Sequence, residues 1–157
     1  MIQLRSMTQA EYQTWFEFSV ADYADQKSKA GFFRPEEAYQ KSKEEFNKIL
    51  PEGIETPNHF LYSIVDDALP EPLGSLWFCN HKGQAGPVAF IYQLEINPTY
   101  RRHGYGEAAM RLLEAKVREL GLDTIELNVF GWNLAARALY EKVGYIPAAI
   151  TMNKKLS

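Results

Sequence analysis

The chain has 157 residues, a formal net charge of −3 at pH 7, 46% hydrophobic and 24% charged residues, the proportions of one ordinary globular domain rather than of a disordered or fibrous chain. An acidic balance excludes a surface that attracts a nucleic-acid backbone as a whole, so any polyanion must be met by a local cluster of donors. One cysteine (Cys79) and three scattered histidines (His59, His81 and His103) make neither a disulfide nor a close-spaced ligand set, so no metal is expected; without a basic leader or an apolar window of about 18 residues, no membrane contact and a cytoplasmic address are expected.

Ile2 to Arg5 reads as a short strand, and Thr8 to about Ala24 as a helix with Tyr12, Trp15, Phe16, Ser19 and Val20 at helical spacing. Pro35 followed by Glu36 and Glu37 marks a second helix start, with acids facing the positive end of the dipole, and Pro51 and Gly53 stop that helix after Leu50. Phe60 to Val65, Leu73 to Asn80 and Val88 to Ile96 are β-branched and aromatic runs, expected as strands whose short connections favour antiparallel neighbours. A helix to Leu120 follows, closed by Gly121 as a left-handed cap; then come a strand at Ile125 to Val129, a helix at Leu134 to Val143 closed by Gly144, and one or two last strands from Tyr145. Helices first, a meander of strands, then β-α-β-α-β is the order of an α+β protein with a mixed sheet. We expect a single domain over 1–157, with 1–58 variable substrate-side helices and 59–157 the core.

Between the third strand and the next helix the chain reads INPTYRRHGYG, residues 96–106. The first amides of a helix have no partners inside it and, with the helix dipole, make an anion site; glycine lets the backbone approach a ligand closely. Arg101, Arg102 and His103 lie just ahead of Gly104 and Gly106, so a pyrophosphate is a natural occupant, against the plainer reading of a solvated surface turn. A Walker A loop is absent. A dinucleotide fingerprint fits Gly104, Gly106 and Ala109 with Glu126 further on, but its first glycine belongs nearer the strand end, and too little chain follows for a Rossmann half-pair.

The same residues resemble the acetyl-coenzyme A signature of the Gcn5-related N-acetyltransferases (GNAT): a hydrophobic residue, x, Pro, then Arg/Gln-x-x-Gly-x-Gly/Ala. A second block from Asn133 to Tyr145, NLAARALYEKVGY, resembles the family pattern N-x-x-A-x-x-x-Y-x-x-x-G-F/Y. The resemblance implies a mixed, mostly antiparallel central sheet flanked by helices, with a splayed strand pair that binds the cofactor. It implies acetyl-coenzyme A as acyl donor, with Leu94 and Ile96 beside the pantetheine. The amides around Arg102, His103, Gly104, Tyr105, Gly106 and Glu107 would take the pyrophosphate, with Arg101 the signature basic residue, and Asn133 and Ala136 also lie in the cofactor motif. Asn133 suits an N-cap as well. Ala135, Leu139 and Val143 are expected as the packed stripe of the last helix, with Ala136 and Tyr140 beside it.

That family moves an acetyl group from the thioester to a primary amine by direct attack, and Tyr140 is the matching general acid for the departing sulfur. The base is less plain. The face expected to join Phe90, Tyr92 and Ile96 carries no carboxylate, and Asn128 stands where other members have an acid. Glu95 is the nearest candidate, but strand alternation puts it on the opposite face unless a bulge re-aims it. The missing glutamates motivate an alternative, a non-catalytic acyl-coenzyme A binding or sensing domain on the same fold. Trp15, Phe18, Tyr23, Phe32, Phe33 and Trp77 are either core or the wall of an acceptor pocket, and Asp22 or Asp25 either solvated or an attraction for a cationic amine. The acceptor is expected to be a small-molecule or peptide amine, and a homodimer through the carboxyl-terminal strands is compatible with the family.

Overall fold

Thr8 sets the start of the first helix: its hydroxyl accepts from the Glu11 amide at 3.1 Å, and the Glu11 carboxylate accepts from the Thr8 amide at 2.9 Å. This reciprocal box satisfies two amides that the first turn leaves unpaired. The computed structural model describes all residues 1–157. Chain order is β1 (Ile2–Ser6), α1 (Gln9–Lys29), α2 (Ala38–Ile49), β2 (His59–Asp66), β3 (Gly74–Gly83), β4 (Gly86–Ile96), α3 (Tyr105–Glu119), β5 (Ile125–Leu127) and α4 (Leu134–Lys142).

The five strands form one sheet in the order β1-β2-β3-β4-β5; the first four are antiparallel, and β5 runs parallel to β4. The α+β architecture expected from the element order is therefore present. One face packs on α1 and α2 through Tyr12, Trp15, Val20, Phe46, Leu61 and Trp77. The other packs on α3 through Leu76, Phe78, Ile91, Met110, Leu113 and Val117. Burial of these two apolar layers supplies the main favourable term for folding.

The expected boundaries shift in several places, β3 running on past Asn80 to Gly83 and β4 starting at Gly86 rather than Val88 among them. α1 continues past Ala24 to Lys29, and α2 begins at Ala38, with Pro35 to Glu37 forming a turn ahead of it. β5 stops at Leu127 rather than Val129. The strands expected from Tyr145 onward are absent, and 146–157 run exposed without regular structure, because a strand needs a neighbour to bond and none lies beside this segment. The glycine stops hold: Gly121 and Gly144 have φ of 77° and 102°.

Glu11 also receives two bonds from Arg5, at 3.0 and 2.8 Å. The guanidinium holds its carboxyl down at about 2, against an ordinary 4.5. A depressed carboxyl contributes stability that is complete above the ordinary value and is lost as pH falls toward the depressed one. Glu11→Gln is expected to cost about 1–2 kcal/mol at neutral pH. Urea denaturation across a pH series should also show its stability falling less steeply than wild type between pH 4.5 and about 2.

Candidate active site

β4 carries one residue more than the stretch of β3 it faces. Trp77 pairs with Gln93 and Phe78 with Ile91, so Tyr92 is the extra residue of a bulge. Ala89 and Ile91 point toward α3, and after the bulge Leu94 and Ile96 do so as well. Phe90, Tyr92, Gln93 and Glu95 consequently share the face toward α1, where Tyr92 stacks on Trp77 at 4.3 Å and meets Phe90 edge to face at 4.9 Å. This corrects the sequence expectation for Ile96, which lies on the other face. It also supplies the bulge that Glu95 required.

Three side chains fix the bulge from the α1 side. Trp15 Nε1 donates to Gln93 Oε1 at 2.5 Å, Gln93 Nε2 donates to Ser19 Oγ at 3.0 Å, and Ser75 Oγ donates to Gln93 Oε1 at 3.3 Å. Trp15 and Ser19 are buried. A half-buried amide satisfied this way orients its strand, whereas an unpaired buried one would cost roughly 1–3 kcal/mol. Sequence reasoning missed this network. Its signal was the apolar phase, since Ala89 and Ile91 fall out of step with Leu94 and Ile96, as one extra residue in a strand requires.

β4 pairs with β5 only at Ala89, Phe90 and Ile91, while its bonding to β3 continues to Ile96. From Tyr92 onward the β5-facing edge of β4 is therefore open. Leu94 and Ile96 lie on this stretch, and the Ile96 carbonyl accepts from Arg101 Nε at 2.8 Å.

Past β4, a 3-10 turn at Pro98–Tyr100 leads into a loop with two left-handed residues, Arg102 (φ 64°) and Gly104 (φ 79°). The first α3 bond comes from the Ala108 amide to the Gly104 carbonyl at 3.1 Å. No backbone bond is donated by the amides of Arg102, His103, Gly104, Tyr105, Gly106 or Glu107. Six successive free donors on a left-handed curve at a helix start form an anion cradle. His103 Nδ1 lies 3.1 Å from the Tyr100 carbonyl, and Tyr105, the first residue of α3, is half-buried. Glu107 is neutralised by Arg111 at 3.0 Å and Lys142 at 3.1 Å, which hold its carboxyl below the usual range. Arg101 does not reach into the loop; its Nη2 lies 2.5 Å from Glu95 Oε1.

α4 stands against this loop. Asn133 caps it, accepting from the Ala136 amide at 3.2 Å. The inward face holds Ala136, Leu139, Tyr140 and Val143, whereas Ala135, expected in the packed stripe, is exposed because that spacing of three and four residues rotates it outward. A β-carbon on Gly106 would stand 3.1 Å from Leu139, so the glycine lets α4 close on the start of α3. Burial pushes the Tyr140 phenol up, and the nearby Glu95 charge adds to the rise. Burial likewise raises Glu95, opposed by Arg101 and reinforced by Asp22. The Glu95 charge thus acts on the Tyr140 phenol, which packs with the α3-side core.

A cleft of about 540 Å³ opens on the α1 face, with Trp15, Phe18, Glu71, Ser75, Gln93 and Glu95 in its wall. Of the aromatic residues considered for the acceptor side, Trp15 and Phe18 reach it, while Trp77 is core. Tyr23, Phe32 and Phe33 surround the Lys27 ammonium at 5.4, 4.8 and 5.5 Å. Asp25 pairs with Lys29 at 3.0 Å, and Asp22 accepts from Gln26.

With this geometry in place, the model of the acetyltransferase (GNAT) family matches residues 10–145. The chain belongs to the GNAT family. The N-acetyltransferase YycN of Bacillus subtilis (strain 168) is 35% identical over 155 residues, covering 99% of both chains. The solved YycN structure matches with a TM-score of 0.95 at 34% identity, over 100% of this chain and 99% of that one. The [ribosomal protein bS18]-alanine N-acetyltransferase of Escherichia coli (strain K12) is 35% identical over 65 residues, 41% of this chain and 44% of that protein. An aminoglycoside 6'-N-acetyltransferase from Acinetobacter baumannii shares the fold alone, at TM-score 0.65 and 13% identity over 100% of this chain and 99% of that one. This GNAT chain is accordingly an acyltransferase of the N-acetyltransferase type.

Gly74 faces the site from β3. A β-carbon there would lie 2.2 Å from the Glu95 carbonyl oxygen, a backbone atom that cannot step aside cheaply. Gly74→Ala is expected to cost about 1–3 kcal/mol in urea denaturation. Gly131→Ala, where a β-carbon meets open space, should stay within about 0.5 kcal/mol.

Proposed function

We propose that this GNAT enzyme transfers an acetyl group from acetyl-coenzyme A to a primary amine, by direct attack and in the cytoplasm. The observation that carries the reading is the run of six unbonded amides at 102–107 beside the open edge of β4. A pyrophosphate suits those amides, and an amide-bearing pantetheine arm suits main chain at Leu94 and Ile96. Arg102, His103, Asn133 and Ala136 would border the same groove, with Arg101 fixing its floor through the Ile96 carbonyl. Acetyl-coenzyme A would supply the activated thioester carbonyl.

The chain's own residues then handle the protons. Glu95 accepts the proton that an ammonium must lose before its nitrogen has a lone pair, and the raised carboxyl makes it a better base than an ordinary glutamate. Tyr140 donates a proton to sulfur as the carbon–sulfur bond breaks and the carbon–nitrogen bond forms; its raised value keeps that proton in place at neutral pH. A main-chain donor on the open β4 edge would stabilise charge on the carbonyl oxygen. The acceptor is a small-molecule or peptide amine entering from the 1–58 side, where Glu71 and Glu95 in the cleft favour a cation.

Calorimetry with coenzyme A and thiol release from acetyl-coenzyme A over a panel of amines test this reading. Binding without thiol release would favour the sensing domain. Tyr140→Phe is expected to lower kcat about 100-fold or more with coenzyme A affinity unchanged. For Glu95, wild-type kcat/KM should fall as pH drops through a value above the ordinary 4.5, because the base must be ionised. Glu95→Gln should lose that acid limb and lie about 100-fold lower on the plateau.

A further inference from the structure

We propose that His59 is a positioning residue for this reaction: as a neutral ring accepting from the Trp77 indole, it holds Trp77 and Tyr92 in place and so sets the bulge that aims Glu95. What Glu95 then does rests on the acetyl transfer proposed above; what His59 does rests on its contacts. Trp77 Nε1 donates to His59 Nδ1 at 3.0 Å. An indole nitrogen can only donate, so the imidazole nitrogen facing it must carry a lone pair, and the proton of the ring sits on Nε2. Trp77 is 3% exposed, and this is the one hydrogen bond its indole makes.

Three neighbouring strands each give one ring to this cluster: His59 from β2, Trp77 from β3 and Tyr92 from β4. The Tyr92 ring lies 5.8 Å from that of His59 and 4.3 Å from that of Trp77, and His59 lies 6.0 Å from Trp77. Tyr92 is the extra residue of the bulge, with no register partner on β3, and it is 37% exposed. Its side chain is therefore held by these two rings and by Phe90 rather than by enclosure in the core. The backbone carrying His59 is itself fixed, its amide donating to the Thr56 carbonyl at 3.3 Å and the Asn80 amide to the Asn58 carbonyl at 2.9 Å. Gln93 pins the bulge from α1, and the ring cluster pins it from β2.

Protonating Nδ1 would set two donors against each other and leave a buried indole N–H unpaired, so acid loosens this hold. Burial of the ring acts in the same direction and holds His59 below its ordinary 6.5. The stability contributed by the neutral ring is complete above 6.5 and is lost as pH falls from there toward the lowered value. The titratable groups around this corner are Cys79 opposite His59 on β3, Tyr92 on β4 and, from the helices, Tyr23 of α1 with Glu45 of α2. Burial pushes the Cys79 thiol and the Tyr23 and Tyr92 phenols up, so all three keep their protons through the range in which a histidine titrates. Glu45 acts on Tyr23 and not on the His59 ring.

An NMR titration of the full chain between about pH 5 and 8, together with steady-state kinetics, tests the role. The expected result is His59 in the Nε2–H tautomer, titrating below 6.5, with the Trp77 indole signal and the amides of Tyr92 to Glu95 shifting along the same curve. His59→Phe keeps a ring but no acceptor, and should lower kcat about 5–10-fold at neutral pH with the KM for acetyl-coenzyme A unchanged. His59→Asn, whose Oδ1 accepts in place of Nδ1 and does not titrate, should recover most of that loss and remove the His59 part of the acid limb. Titration of His59 at 6.5 or above, amides of 92–95 that ignore it, or wild-type kcat in His59→Phe would each overturn the proposal. An absence of thiol release from the wild-type chain with every amine would sink the transfer reading instead. The titration, which needs neither turnover nor a variant, would then still uphold or overturn the hold of His59 on the bulge.

Discussion

The extra residue at Tyr92 is the constraint on which the rest of the site depends. With regular pleating, a strand that buries Ala89 and Ile91 against α3 would send Glu95 there too and turn Leu94 and Ile96 toward α1. One inserted residue reverses this for everything downstream. The reversal is held by Gln93, whose amide is bonded on both its oxygen and its nitrogen by Trp15, Ser75 and Ser19. α1 is therefore more than a cover for the sheet. Through Trp15 and Ser19 it specifies which way a strand some seventy residues later presents its side chains.

The bulge and the parting of β4 from β5 occur at the same place. β5 follows β4 for three residue pairs and ends its pairing at Ile91, immediately before Tyr92. A bulged strand twists more sharply than a regular one, and a parallel neighbour loses its register across such a twist. The open edge and the re-aimed carboxylate thus meet at one local irregularity. Gly106 completes the arrangement by letting Leu139 settle against the start of α3. Catalytic constellations commonly sit at irregularities of this kind, where local rules yield to the needs of a site.

Much of this was legible from the residues, and the parts that were not share a physical cause. Helix starts and stops are local, so Thr8, Gly121 and Gly144 marked their ends correctly. The glycine pair and the basic run at 101–106 marked a turn of unpaired amides at a helix start, which is also a local property. The bulge is not local. It is decided by register against β3 and by Gln93 meeting α1, and only the broken apolar phase between Ile91 and Leu94 hinted at it. The segment from Tyr145 reads as strand by alternation, yet alternation does not supply the neighbouring backbone that a strand needs. On α4, Leu139 and Val143 hold as the packed stripe and Ala135 alone does not, since Ala135 and Ala136 are identical in type and only the packing of Leu139 on Gly106 distinguishes their faces.

The loop at 102–107 presents main-chain N–H groups, and three of the nearby cations are spent elsewhere: Arg101 on Glu95, and Lys142 and Arg111 on Glu107. Recognition built this way is indifferent to most side chains, for an amide is the same whichever residue carries it. What has to be preserved is curvature at Arg102 and Gly104. The loop can therefore drift in composition over evolutionary time, retuning surface charge or neighbouring contacts, while the donors it presents persist.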